Sequence, residues 1–340
     1  MAGGQERLLR RRIRSIQSTQ KITRAQELIA ASRIVRAQGR VHSAQPYSDS
    51  ITQVVADLAA GGAQSDLLAP RPEMRRVAHI VVTGDRGLCG AYNSNVLRTA
   101  EQAIRDDLEA GRAYSLITVG RKAEGYFRYR DYSIDASFSG FSDQPRYEDA
   151  KRIGTAATEA FVAGDTDLVE IIYTRFVSAG VQQVERLTLV PLVREDDPSA
   201  AADGHGEGGR ESGGEGGGTV KASYEFEPSP GAILDLLLPR YVESRVFAAL
   251  LNAAASEHAS RQRAMKSATD NAHDLIVHFT RVMNRARQDS ITTEIMEIVS
   301  GAEALRSGKK AGADLLSDTI EGRVSDLFEN RTESDSEEST

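Results

Sequence analysis

Glu294 and Glu297 stand three residues apart near the C-terminal end, so a helix would place both carboxylates on one face. Paired carboxylates can do acid–base chemistry, one giving a proton while the other takes one. That chemistry needs a cleft. The surrounding run, Arg285-Ala-Arg-Gln-Asp-Ser-Ile-Thr-Thr-Glu-Ile-Met-Glu-Ile-Val-Ser-Gly-Ala302, reads as an exposed helix with no cleft to offer. A polar contact face fits better, with Ile291, Ile295, Ile298 and Val299 as a separate packing face. The loop Gly84-Asp-Arg-Gly-Leu-Cys-Gly90 follows an apolar run and precedes a helical one, where phosphate-binding loops sit. It has neither the Gly-Lys-Ser/Thr of a P-loop nor Gly-x-Gly-x-x-Gly. It reads instead as a tight turn whose backbone approaches a helix, with Asp85 and Arg86 making structural hydrogen bonds beside Gly87.

The remaining candidates are weaker. His273 and His278 are five apart, the wrong spacing for a shared metal face, and with His258 they read as surface or seam residues. The single Cys89 excludes an internal disulfide, a cysteine metal site and a two-thiol switch, and it reads as buried. Arg10, Arg11, Arg12 and Arg14 could face nucleic acid, but no aromatics interleave them and no recognition motif accompanies them. A charged contact face is expected, with a solvated helix face as the plain alternative. No catalytic residues, cofactor or metal are expected.

Two long helices must position these residues. From residue 5 to about 60 the chain is rich in Arg, Gln, Ala, Leu and Ile, with one proline, Pro46. Leu9, Ile13, Ile16, Ala30, Ile34, Ala37 and Val41 follow three–four spacing, interrupted by Gln20, Thr23 and Glu27. At about 1.5 Å per residue such a helix reaches roughly 80 Å. Gly61-Gly62 ends it. The second helix is expected from about 240 to 305, with Gly308 as a stop. Its stripe is Phe247, Leu250, Leu251 and Ala254, then Met265, Ala268, Ala272, Leu275, Phe279, Val282 and Ala286. Each stripe is too long to fold back on the small region between them, so the two need each other.

The region between alternates. Strands are expected at 77–83, 115–119, 133–138, 168–174 and 183–192, and helices at 93–110, 122–129 and 147–163. This pattern predicts a mostly parallel sheet covered by helices, with an antiparallel pair at its edge. The fold class is α/β: a long antiparallel coiled coil of the terminal helices with a central Rossmann-like α/β domain. Its parts are a helix over 1–62, the α/β domain over 63–195, a flexible insert over 196–230, a helix over 231–307 and a tail over 308–340. Nine of the fifteen residues from Gly204 to Gly218 are Gly, so the insert forms no core. The tail is expected to be disordered, with a short helix possible near Ala313 to Phe328.

The net charge of −7 conceals an asymmetry. Residues 1–40 carry ten Lys/Arg against Glu6 and Glu27, a balance of +8, while 195–227 and 311–340 each balance to −7. The acidity therefore belongs to the insert and the tail. No run approaches the roughly 18 apolar residues of a membrane span. The first residues lack the apolar core of a signal peptide. A soluble protein is expected, or one held at a membrane through partners.

Five collinear motifs carry a resemblance. They are Lys21-Ile-Thr-Arg-Ala25, Ala30-Ala-Ser-Arg33, Gly84-Asp-Arg-Gly-Leu-Cys-Gly-Ala-Tyr-Asn93, Ala264-Met-Lys-Ser-Ala-Thr-Asp-Asn271 and Ile291-Thr-Thr-Glu-Ile-Met-Glu-Ile-Val-Ser-Gly-Ala302. Over residues 5–305 the chain resembles the gamma subunits of F-type ATP synthases. The resemblance implies a non-catalytic central stalk, one copy per complex, turning inside a hexamer of alpha and beta subunits. It implies a foot beside the epsilon subunit and the c-ring, and coupling of proton flow to ATP synthesis with regulation of ATPase activity. It implies a peripheral position on the cytoplasmic face of the bacterial cell membrane. Carried over by position, the rotor–stator contacts are Lys21, Gln26, Arg33, Arg287, Gln288, Thr292, Glu294 and Glu297. Gln26 departs from the Met common at that position, and the Gly-rich insert and acidic tail are unusual in the family. The tail is read as an overhang rather than a brake. The alternative reading is a coiled-coil scaffold whose α/β domain binds a small molecule.

Overall fold

Seven residues of β1, Arg76–Val82, are buried on both faces from Val77 onward, which is where a central parallel strand belongs. The structure is a computed structural model. It describes the backbone of residues 2–60, 71, 73–191 and 230–332, and side chains over 5–58, 71, 73–191 and, with two exceptions, 231–306. The elements run α1 (Ala2–Ala60), β1, α2 (Tyr92–Glu109), β2 (Ala113–Val119), α3 (Arg121–Tyr129), β3 (Ala136–Phe138), α4 (Tyr147–Val162), β4 (Leu168–Phe176), β5 (Gln182–Val190) and α5 (Pro230–Thr332). Strand order is β3-β2-β1-β4-β5. The first four are parallel and β5 is antiparallel to β4, as the alternating pattern predicts.

The chain divides into two compact units, Lys21–Thr269 and Met1–Gln20 with Asp270–Thr340. In the first, the period-two alternation of β1 separates two cores. Ala78, Ile80 and Val82 pack with α4 and with Ile51, Val55 and Leu58 of α1 and Leu234, Leu238 and Val246 of α5. Val81 packs on the other face with Val96 and Ile104 of α2 and Phe127 of α3. The two long helices run antiparallel here. Late α1 shares a core with early α5, while Thr23 Oγ1 meets Thr269 Oγ1 at 2.8 Å. The interrupted stripe of α1 is buried at Ile13, Thr23, Glu27, Ala30, Ile34 and Ala37 and half-buried at Leu9, Ile16, Gln20 and Val41. Glu27 keeps Arg24 as its partner at 3.0 Å.

Three expectations need correction. The second helix begins at Pro230 rather than about 240 and continues to Thr332 rather than ending at Gly308. Pro239 lies inside it, as Pro46 lies inside α1. An interior proline costs about 3 kcal/mol and a glycine about 1 kcal/mol. Burial of Leu234, Leu238 and Val242 on the sheet offsets the first. The span 313–328, read as a possible short helix in the tail, is part of this continuous helix. The Gly-rich insert lies outside the described residues. The seam register on α5 also differs: Leu275 and Val282 are 46% and 40% exposed, while Ile276 and Met283 are half-buried. The heptad through Ala272, Phe279 and Ala286 is kept, and its other position falls one residue later, on Ile276, Met283 and Ser290.

In the second unit Ile13 and Ala272 are buried, and Leu9, Ile16, Ile276, Phe279, Met283, Ala286 and Ser290 are half-buried. From residue 291 to 306 every position is exposed. This overturns the packing face expected at Ile291, Ile295, Ile298 and Val299, which are 49%, 54%, 71% and 59% exposed. A packing face needs a facing helix, and after Ser290 none among the described residues covers this stretch.

Candidate functional site: a helix–sheet junction and an exposed helix end

The loop after β1 lies at the carboxyl end of the parallel strands, the place where open α/β sheets form their sites. Asp85 is its centre. Oδ1 accepts the backbone N–H of Arg121 at 3.1 Å, and Oδ2 accepts those of Gly140 at 2.9 Å and Ser142 at 3.1 Å. The Asp85 N–H in turn donates to Ser142 Oγ at 3.0 Å. Burial alone would push this carboxyl up. The backbone donors together outweigh it and hold the group below the usual carboxylate range. Amides that would cradle a phosphate in a binding loop therefore already hold an anion from the chain itself. Asn93 completes the turn, its Oδ1 accepting Gly84 N–H at 2.9 Å and its Nδ2 donating to the Arg86 carbonyl at 3.3 Å.

Two long helices converge on this loop. From α1, Arg33 pairs with Asp143 at 2.7 Å, and the mostly exposed Arg86 approaches the same oxygen at 3.7 Å. Arg40 donates to the Pro145 carbonyl. From α5, His258 Nε2 lies 3.3 Å from the Asp143 carbonyl. Glu257 is 1% exposed and pairs with Arg261 at 2.5 Å, and Arg261 also reaches the Gly87 carbonyl at 3.4 Å. Burial pushes the Glu257 carboxyl up, and Arg261 pulls it back. Gly84 has no room for a side chain, because a Cβ would lie 2.9 Å from the Glu257 carboxyl. Cys89 is buried beside this pair, and burial raises its thiol so that it stays protonated.

Asp85→Ala should cost about 2–3 kcal/mol, since three backbone donors lose their acceptor. The depressed carboxyl contributes stability that is full above the unfolded value near 3.9 and is lost as pH falls through the lower native value. Urea unfolding between pH 7 and pH 2 should show a smaller acid-side loss in the variant than in the parent.

The predicted contact residues fall into two groups. Lys21 is exposed, Gln26 half-buried, and Arg33 is turned toward Asp143 in the first unit. Arg287, Gln288, Thr292, Glu294 and Glu297 lie exposed along one stretch of α5 in the second. Glu294 touches only Ser290 Oγ at 3.3 Å, and Thr292 bonds back to the Gln288 carbonyl at 3.0 Å. Nothing around these carboxylates is buried. Their surroundings suit a contact face and give no cleft for acid–base work.

Among the described residues no group of His, Cys, Asp and Glu could hold a metal ion, and no helix is long and apolar enough to cross a membrane. Residues 5–305 match the family model described as ATP synthase. An ATP synthase gamma chain from Frankia casuarinae is 49% identical over 312 residues, covering 90% of this chain and 99% of the relative. The chain belongs to the ATP synthase gamma-chain family. Another member, from Mycobacterium tuberculosis, is 45% identical over 317 residues, covering 89% and 98%. The fold is that of solved stalk structures. A chain of the Euglena gracilis mitochondrial ATP synthase (OSCP/F1/c-ring) superposes with TM-score 0.60 at 17% identity, covering 91% of this chain and 97% of that one. One from the Tetrahymena thermophila central stalk/c-ring structure gives 0.53 at 22%, covering 73% and 99%. Family motifs direct attention to the 84–93 loop and the 291–302 helix. They pass over Glu257, Ser142 and Asp143, which complete the junction. The available signal for Glu257 was an acid set in the small apolar run Ala253-Ala-Ala-Ser-Glu-His-Ala259.

Proposed function

We propose that this chain is the central shaft of an F-type ATP synthase, a non-catalytic subunit that turns inside a ring of alternating alpha and beta subunits. The carrying observation is the exposed stretch of α5 over 291–306. Ile291, Ile295, Ile298, Val299 and Leu305 are all about half exposed or more and share one side of the helix, with Met296 at its margin. An apolar stripe of this length marks a surface to be covered. Among the described residues nothing covers it, so the cover comes from other subunits, and a ring enclosing the helix provides it. The polar residues Arg287, Gln288, Thr292, Glu294 and Glu297 are interspersed and form the rotor–stator contact, together with Lys21, Gln26 and Arg33.

The α/β part is the foot, facing the epsilon subunit and the c-ring of the membrane sector. The chain is peripheral, on the cytoplasmic face of the bacterial cell membrane, with one copy per complex. Its rotation couples proton flow to ATP synthesis and sets ATPase activity. The domain layout follows: a coiled-coil helix over 1–62, the foot over 63–195, the insert over 196–230, and from 231 the second helix, which passes 307 and runs on into the acidic segment of 308–340. A bearing must bind no single angle tightly, because a contact deeper by 1.4 kcal/mol slows passage about tenfold. Weakly held side chains such as Glu294 suit that need.

Mixing the purified chain with alpha and beta subunits tests the reading. One copy should join each hexamer and raise ATP hydrolysis well above that of alpha and beta alone. Failure to assemble, or assembly without change in turnover, contradicts it.

A further inference from the structure

A shaft that carries torque from a foot needs a joint at which foot and shaft turn as one body. The sheet touches α5 over apolar surface, which resists separation but slides easily because it is non-directional. Polar contacts interrupt it at β4 and the turn into β5, where Ser256 donates to the Thr174 carbonyl at 3.1 Å, Asn252 accepts the Phe176 N–H at 3.3 Å and Arg263 donates to the Gly180 carbonyl. A buried charged set lies at the 84–90 loop. Under the 84–90 loop, α5 presents Glu257 and Arg261, 1% and 9% exposed, where one turn of sliding would break several directional contacts. Glu257 fills the space above Gly84, leaving 2.9 Å where a Cβ would be. Arg261 holds Glu257 at 2.5 Å and reaches the Gly87 carbonyl at 3.4 Å. The adjacent His258 engages the Asp143 carbonyl, and Asp143 holds Arg33 of α1. Asp85 ties the same loop to α3 and to the 140–142 turn. A charged pair removed from water is a poor means of adding stability. This one lies within α5, four residues apart, and it meets the loop through Arg261 on the Gly87 carbonyl and the Glu257 carboxyl over Gly84, two contacts that hold only in one register.

We propose that Glu257, seated on Gly84 and paired with Arg261, is the positioning residue of a torque joint that locks the foot to α5. It acts through Arg261 and the loop, touches no nucleotide, and matters when force passes between the membrane sector and the shaft. The proposal rests on the shaft reading above. Hydrolysis by the soluble complex of alpha, beta and this chain does not load the joint, whereas proton pumping by the membrane-bound complex does.

The test is the ratio of protons pumped to ATP hydrolysed, measured with the complete complex in vesicles. Glu257→Gln should leave soluble ATP hydrolysis within about twofold and lower the ratio at least threefold. A covalent weld supplies the readout that a merely structural role would not move. A Cβ on Gly90 would lie 3.7 Å from Ala264 Cβ, within the range a disulfide spans. In a Cys89→Ser background, Gly90→Cys with Ala264→Cys joins loop and α5 when oxidised. Gly90 has φ 59°, so cysteine there is strained, but the strain is common to oxidised and reduced forms and cancels in the comparison. Added to Glu257→Gln, the oxidised weld should restore the ratio, and reduction should abolish the gain.

An unchanged ratio in Glu257→Gln overturns the proposal, as does a lowered ratio that the weld fails to restore. If Glu257→Gln does not assemble, Gly84→Ala loads the same contact from the other side, and a wild-type ratio there overturns it equally. Failure of the shaft reading looks different: the parent complex itself would show no pumping that depends on this chain.

Discussion

Gly120→Ala lowers the stability of the chain by about 3–5 kcal/mol, the sum of an occupied backbone region and a clash. Gly120 ends β2 with φ 94° and ψ 142°, a conformation nearly closed to residues with a side chain. A Cβ would lie 2.3 Å from the Thr83 carbonyl oxygen, and that oxygen belongs to backbone that cannot move aside cheaply. Thr83 N–H donates to the Val119 carbonyl at 2.8 Å, Gly120 N–H donates to the Phe138 carbonyl at 2.7 Å, and Thr83 Oγ1 accepts Ala123 N–H at 2.9 Å. Relief by backbone shift would therefore strain β1, β2, β3 and α3 together. Gly125, inside α3 with nothing within 4 Å, is the control. Gly125→Ala should be neutral or stabilise by up to about 1 kcal/mol, because helical glycine is costly. Denaturant unfolding of the isolated chain reads both, and similar midpoints for the two variants would contradict the assignment.

Gln288→Ala combined with Glu294→Ala should leave unfolding of the isolated chain unchanged and reduce ATP hydrolysis by the complex with alpha and beta about tenfold. Both side chains are exposed. Glu294 has only the 3.3 Å contact to Ser290 to lose, so the folded chain gives up almost nothing. In the complex, a hydrogen bond involving a charged group contributes about 1.5–3 kcal/mol. If such contacts form mainly as the shaft passes its barrier, their loss appears as roughly tenfold in rate for each 1.36 kcal/mol. A shift in the unfolding midpoint would assign these residues to the fold. Unchanged hydrolysis would remove them from the rotor–stator contact.

These two predictions divide the molecule along a line that also divides what sequence could reveal. Strand alternation and helix spacing report burial against near neighbours, so the sheet, its antiparallel edge and the α1 seam were legible from residue patterns. The end of α5 was misread because Ile291, Ile295, Ile298 and Val299 have the spacing of a packing face. Spacing records that a surface is to be covered, and it carries no label for whether the cover lies in the same chain. The error at Leu275 and Val282 is one residue, about 100° around the helix, and it arises because Leu275-Ile276 and Val282-Met283 are both apolar pairs, so alternating three–four spacing fits either member. The junction was half visible. Asp85 sits in a recognisable loop, but Glu257 is 172 positions away in sequence, and only the fold brings its carboxyl over Gly84. Gly120 drew no attention because its demand comes from Thr83, across a strand pairing that sequence alone does not set in register.

The central claim is that the chain rotates, and the most direct measurement watches it do so. Tyr129 is 87% exposed at the end of α3, so Tyr129→Cys offers a label on the α/β part. With alpha and beta subunits fixed to a surface and a bead or rod on residue 129, ATP should drive rotation in one direction. Steps of about one-third turn are expected, following the threefold repeat of the ring. Steady ATP hydrolysis beneath a label that only fluctuates about a fixed angle would contradict the account.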